Sequence, residues 1–186
     1  MADDIKAAAQ VARQAALQLS QSSEEERNNA LEAIAQALVA NQDKIITANT
    51  RDVDTAAKRV AEGKLGAPLL ARLKVDEAKL EGQIVVGVRS VASQEDPINK
   101  TLTAIELDEG LDLYRVSVPI GVIGVIFESR PDALVQIACL CLKSGNAAML
   151  KGGSEVSIYW CPFIQDILVK RLSLAFPLTI FHKRIT

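Results

Sequence analysis

Val118–Glu155 reads VPIGVIGVIFESRPDALVQIACLCLKSGNAAMLKGGSE, and the order of its apolar runs and polar breaks decides the fold. Gly121–Phe127 is rich in Val and Ile, is of strand length and has almost no polar relief. Such a run suits a strand buried on both faces of a parallel sheet. Glu128–Arg130 breaks it, and Pro131 follows where a first helical turn begins. Asp132 puts negative charge near that helix N-terminus, which the backbone dipoles favour. Ala133–Leu142 is apolar at nearly every position, so the helix is expected to be buried nearly all round. Lys143-Ser144-Gly145-Asn146 closes it with a cation in the last turn and residues that tolerate a left-handed cap. Ala147–Leu150 is a second short apolar strand, running into Lys151-Gly152-Gly153-Ser154. The whole is one β-α-β unit, and such sheets bind ligands at the carboxyl ends of their strands. Those ends are Glu128–Arg130 and Lys151–Ser154.

The chain has 186 residues, enough for one domain with a real core or a domain plus an extension. Lys and Arg number 21 against 23 Asp and Glu, and this near-neutral balance without a basic block argues against nucleic acid. MADDIKAAAQ lacks the positive-then-apolar pattern of a leader. No stretch reaches the ~18 uncharged apolar residues of a membrane span. Three cysteines without metal-ligand spacing suit a reducing compartment. A soluble cytoplasmic protein without a metal is the expectation.

Upstream, helices are expected over most of the first 95 residues. Lys6–Leu19 alternates Ala, Val and Leu with Gln, Arg and Ser at helical spacing. Ser22 and Ser23 are each followed three residues later by a Glu, giving two overlapping capping-box options. Leu31, Ile34, Ala35, Leu38 and Val39 then form one apolar stripe. Asn41 and Asn49 read as breaks, with helix resuming over Arg51–Glu62. Gly63 and Gly66-Ala67-Pro68 read as a loop, and Ala71–Leu73 and Glu77–Val91 again as helix. Asp96-Pro97 marks a turn. Leu102–Leu107 and Leu111–Val118, separated by Asp108-Glu109-Gly110, predict a β-hairpin whose faces are not cleanly apolar and polar. It is either an edge hairpin covered by its own domain or a protruding pair that finds another chain. After Glu155 the chain changes character: Tyr159, Trp160, Phe163, Phe176 and Phe181 are five of its seven aromatics, and Pro162 and Pro177 interrupt any stripe. That tail is expected to be poorly packed and not to continue the β-α-β pattern.

FESRPDALVQIA followed by SGNAAMLKGGSE resembles the γ-glutamyl phosphate reductases, or glutamate-5-semialdehyde dehydrogenases, of the aldehyde dehydrogenase superfamily. The likeness runs back through DPINK at Asp96 and covers roughly residues 5–155. Broad-specificity aldehyde dehydrogenases fit less well, because they resemble one another through Pro-Trp-Asn and Lys-Pro segments where this chain has FESRP and LKGGS. The resemblance implies an α/β fold: a helical N-terminal region, a hairpin at about 102–118, and the first β-α-β unit of an aldehyde-dehydrogenase-type, Rossmann-like cofactor domain. Residues 1–155 would form this partial domain and 156–186 a divergent tail. The family reduces γ-glutamyl phosphate with NADPH in proline biosynthesis, through a cysteine thioester.

Residue by residue, the resemblance implies that Lys151 reaches the adenosine ribose of NADP. Ser154 stands where NAD-preferring relatives carry a glutamate that would repel a 2′-phosphate. With Gly152 and Gly153 they form the candidate phosphate-side segment, which read alone is also an ordinary Lys-Gly-Gly-Ser surface turn. Ile126, Phe127, Glu128 and Ser129 match the segment beside the nicotinamide ribose, and Ser129 replaces an oxyanion-stabilising asparagine. Arg130 is the candidate substrate-binding residue, with an ion pair to Glu128 or Asp132 as the alternative. Gly121 and Gly124 lie too early to cradle a pyrophosphate and read as close packing of strand against helix. Cys139 and Cys141 read as core. Cys161 and His182 lie in the tail without a partner in sequence. The family's nucleophilic cysteine lies in a domain well downstream of the Lys-Gly-Gly segment, so no catalytic residue is expected here. A truncated form acting only through subunit association is the alternative reading.

Overall fold

A computed structural model describes residues 2–127, 130–152, 164 and 179–181. Three long helices open the chain: α1 (Ala2–Leu19), α2 (Glu24–Ala40) and α3 (Gln42–Ala61). The second capping-box option starts α2: Ser23 Oγ accepts from Glu26 N, and the Glu26 carboxylate accepts from Ser23 N at 2.8 Å. Leu31, Ile34, Ala35 and Leu38 are buried as the stripe predicts, but Val39 is exposed at the helix end. Asn41 does separate α2 from α3. Asn49 does not break the chain; it lies inside α3, buried. Its amide donates to Leu73 O at 2.9 Å and accepts from Val75 N at 2.7 Å, satisfying the segment after α4 (Ala67–Leu73). Ala67 and Pro68 belong to that short helix, with Pro in its first turn, where a missing N–H costs nothing.

Glu77–Ser93 is helical throughout but changes its ladder. A single turn, α5 (Glu77–Lys79), runs into a π-helical stretch, Leu80–Val85, and then into α6 (Val86–Ser93). Leu80, Ile84, Val85 and Val88 are buried and meet α2 and α7 (Pro131–Lys143). Arg27 of α2 is buried, and its Nη2 lies 2.7 Å from both oxygens of Asp96. Asp96 Oδ1 also accepts from Ile98 N at 3.1 Å, so the Asp96-Pro97 turn is tied to the helical layer.

The hairpin is β1 (Thr101–Asp108) and β2 (Leu111–Val116), antiparallel, and every residue of both strands is exposed. The described residues of its own domain therefore do not cover the hairpin. β3 (Val122–Phe127), α7 and β4 (Ala147–Gly152) form the expected β-α-β unit, with β3 and β4 parallel and α1 and α7 packed on both strands. Two expectations about β3 are corrected. The strand is not covered on both faces: Val122, Gly124 and Ile126 are exposed, whereas Ile123 and Val125 are half-buried and Phe127 buried. A run of Val and Ile looks the same whether one face or two are covered. Nor do Gly121 and Gly124 mark tight packing, since a Cβ on either would meet nothing within 4 Å. Gly121 is required instead by its φ of +115°.

Close approach occurs at Gly145, whose φ is +68° and whose Cβ would lie 2.7 Å from Ile98 Cδ1. It ends α7, and Asn146 Oδ1 then accepts from Gly121 N at 2.8 Å, setting the register of the two strands. α7 is buried along most of its length, with Gln136 and Leu140 exposed. Thr179–Phe181 forms β5, parallel to β4, so the tail does add a strand to this sheet, in the order β3-β4-β5. Ile164 is fully buried. The other tail residues, Cys161, His182 and four of the five aromatics included, lie outside the described residues, as does the expectation of poor packing there. No helix among the described residues is long and apolar enough to cross a membrane.

Replacing Asn49 with Ala strands a buried N–H at Val75 and a buried carbonyl at Leu73. We expect a loss of about 2 kcal/mol or more of unfolding free energy, measured as a lower denaturant midpoint with an unchanged slope.

Candidate functional site

The parallel register decides what the two strand ends can do together. Ile126 sits opposite Lys151 and Phe127 opposite Gly152, so the last residues of β3 and β4 reach the same edge of the sheet. Of the eight candidate cofactor residues, Ile126, Phe127, Lys151 and Gly152 are thereby brought side by side. Glu128, Ser129, Gly153 and Ser154 lie outside the described residues. Ile126 is 76% exposed, an open apolar side chain next to a half-buried lysine. Lys151 makes no hydrogen bond or ion pair with the described residues, so its ammonium is uncommitted among them. An apolar platform beside such a cation suits a ligand with a flat or sugar part and a phosphate.

Arg130 follows β3 and precedes α7. Its Nη2 donates to Asp132 Oδ2 at 2.8 Å, which raises the guanidinium pKa above its ordinary value. Of the two ion-pair partners considered from sequence, the structure records Asp132. The Arg130 side chain is still 56% exposed, which leaves other N–H donors open to a ligand. Asp132 is 7% exposed, and its Oδ1 is buried without a hydrogen bond. Lys79 Nζ lies 4.0 Å from that oxygen. In sequence, Asp132 has a role toward the helix dipole and as a possible partner of Arg130, and Lys79 has none. The two are 53 positions apart, and no local pattern links them.

Cys139 and Cys141 are both buried in α7. Burial pushes the Cys139 thiol up to about 12, with Cys141 nearby adding to the effect, and pushes Cys141 up as well. Among the described residues no three His, Cys, Asp or Glu side chains gather as a metal site would need. A cleft of about 640 Å³ between α1 and residues 119–122 opens at the amino end of β3, away from the strand ends that carry Lys151 and Arg130.

No family model matches the chain. The γ-glutamyl phosphate reductase of Natronomonas pharaonis is 54% identical over 157 residues, which is 84% of this chain and 36% of that protein. The crystal structure of γ-glutamyl phosphate reductase from Saccharomyces cerevisiae superposes with a TM-score of 0.87 at 36% identity, covering 96% of this chain and 46% of that one. A propionaldehyde dehydrogenase from Clostridium phytofermentans, at a TM-score of 0.60 and 15% identity, covering 95% of this chain and 37% of that one, shares the fold alone. The chain thus spans about a third of the length of the curated relatives it matches. Over most of its own length, in sequence and in fold, it belongs to the γ-glutamyl phosphate reductase family.

Proposed function

We propose that this chain forms the front of the cofactor domain of an NADPH-dependent reductase that converts γ-glutamyl phosphate to glutamate 5-semialdehyde in proline biosynthesis. The observation that carries the reading is the 54% identity with a γ-glutamyl phosphate reductase over 84% of the chain. Lys151 at the end of β4, without a partner among the described residues and opposite Ile126 in the register, supports a nucleotide there. When bound, NADPH supplies the hydride. Lys151 and Ser154 hold the 2′-phosphate, with Gly152 and Gly153 completing the segment, and Ile126–Ser129 passes beside the nicotinamide ribose. Arg130, held by Asp132, receives an oxyanion of the substrate. The enzyme acts in the cytoplasm, and copies associate through the hairpin, whose exposed Leu102, Ile105, Leu111, Leu113 and Tyr114 support that role.

Thioester chemistry requires a thiolate. Cys139 and Cys141, enclosed in α7, do not supply one, and this chain alone binds nucleotide without turnover. Titration with NADPH and NADH should give tighter binding of NADPH by about tenfold or more, the worth of one charge-assisted contact. Lys151→Ala should remove that preference and Ser154→Glu should reverse it. Tighter NADH binding by the parent chain would refute the roles of Lys151 and Ser154.

The thiols give a second test. A thiol with a pKa of about 12, against an ordinary 9.0, is about a thousandfold poorer in thiolate at pH 8. In the native protein at that pH, iodoacetamide should spare the peptide carrying Cys139 and Cys141 and label it only after unfolding, as read by mass spectrometry. The folded state holds the Cys139 proton more tightly than the unfolded chain does. Its contribution to stability is therefore complete below pH 9.0 and is lost as pH rises toward 12.

A further inference from the structure

Lys79 reaches the end of β3 because the helix that carries it is not a regular α-helix. Leu80–Val85 is π-helical, and a π turn holds one residue more than the α turn it replaces. Leu80, Ile84, Val85 and Val88 are fixed in the core, so the helix before the wide turn takes the angular offset. At that junction stands Lys79. Its Nζ donates to Lys74 O at 3.3 Å and lies 4.0 Å from Asp132 Oδ1, within ion-pair range but beyond a hydrogen bond. Asp132 Oδ1 is buried and has no donor. The other oxygen takes Arg130 Nη2 at 2.8 Å. One buried carboxylate therefore stands between two cations from separate parts of the chain, in the first turn of α7. The three groups carry a formal charge of +1, and the N-terminal dipole of the 13-residue α7 adds to it.

We propose that Lys79 and Arg130 form a two-cation site for an oxyanion of the substrate, with Asp132 as the residue that positions both. Its assignment to the substrate, rather than to some other anion, rests on the reductase reading above. Arg130 offers the N–H donors that Asp132 leaves open. Lys79, held near Asp132 without being locked to it, turns its ammonium to the same ligand. Carboxylate and phosphate share the required chemistry, and γ-glutamyl phosphate carries both.

The chain is titrated separately with inorganic phosphate and with L-glutamate, and with NADPH as an independent readout. At least one oxyanion should bind. Lys79→Gln and Arg130→Gln should each weaken it about tenfold, the loss expected for one charge-assisted hydrogen bond. Lys79→Arg should restore it, and NADPH binding should not change. The anion that responds identifies the source, phosphoryl or carboxylate. Asp132→Asn removes a negative charge, yet it should weaken binding if the carboxylate positions the two cations. Tighter binding by that variant would make Asp132 a mere counter-ion and overturn its role. Because Asp132 is buried, the decisive variants are those of Lys79, whose side chain is 24% exposed and whose replacement leaves the core untouched. Binding of neither anion, or binding indifferent to Lys79→Gln, overturns the site. If NADPH still binds in that case, the reductase reading survives. Oxyanion binding that depends on Lys79, without any nucleotide binding, keeps the site and removes that reading.

Discussion

Lys143 carries a positive charge into the middle of the protein, with 3% of its side chain exposed. An ammonium taken from water must have all three of its donors met, or the desolvation cost is not recovered. Here Asn28 Oδ1 accepts at 2.8 Å, Ala92 O at 3.0 Å and Glu24 Oε1 at 3.3 Å. Those acceptors belong to the first turns of α2 and the last turn of α6, while Lys143 itself ends α7. One cation thus fixes where three helices meet, and the helix it ends is the one between β3 and β4. Arg27 repeats the device from the same turn of α2, tying that helix to the Asp96 turn. Apolar packing alone would leave these helices free to slide; two buried cations with named acceptors give them a single register.

That register joins the helical front to the parallel sheet of β3 and β4. α1 lies on β3 and β4, α2 and α6 hold α7, and the helix before α6 delivers Lys79 to the first turn of α7. The front helices therefore pack on the sheet and on α7, and their packing sets where Lys79 stands relative to Asp132. The hairpin stands apart from this arrangement. It is exposed on both faces, and a two-stranded ribbon is marginal in water by itself.

Much of this was readable from residue order. The strand-helix-strand rhythm of 118–152, the Ser23–Glu26 cap and the hairpin are local patterns, and each is found within a residue or two of its expected place. The meeting of the two strand ends at one edge of the sheet was legible for the same reason, since parallel strands joined by one helix finish at the same end. What failed was anything set by partners far along the chain. Asn49 looks like a helix breaker until its amide is seen serving Leu73 and Val75, more than twenty positions away. The covered face of β3, the approach of Lys79 to Asp132, and the third strand at 179–181 all depend on neighbours that no window of sequence contains.

The wide turn at Leu80–Val85 has a further consequence, in how this stretch tolerates change. Helices absorb most surface substitutions, and Gly82 shows that even a poor helix former is accepted within this one. Length has one tolerance of its own. A π turn holds one residue more than an α turn, so deleting one residue of the segment would close the ladder to α geometry and leave what precedes it on nearly the same face. The buried side chains from Ile84 onward would keep their places, and Lys79 would keep its side toward Asp132. A second deletion would have no spare residue to draw on; an α-helix advances about 100° per residue, and everything before the cut would swing by that angle. The segment can lose one letter, but not two.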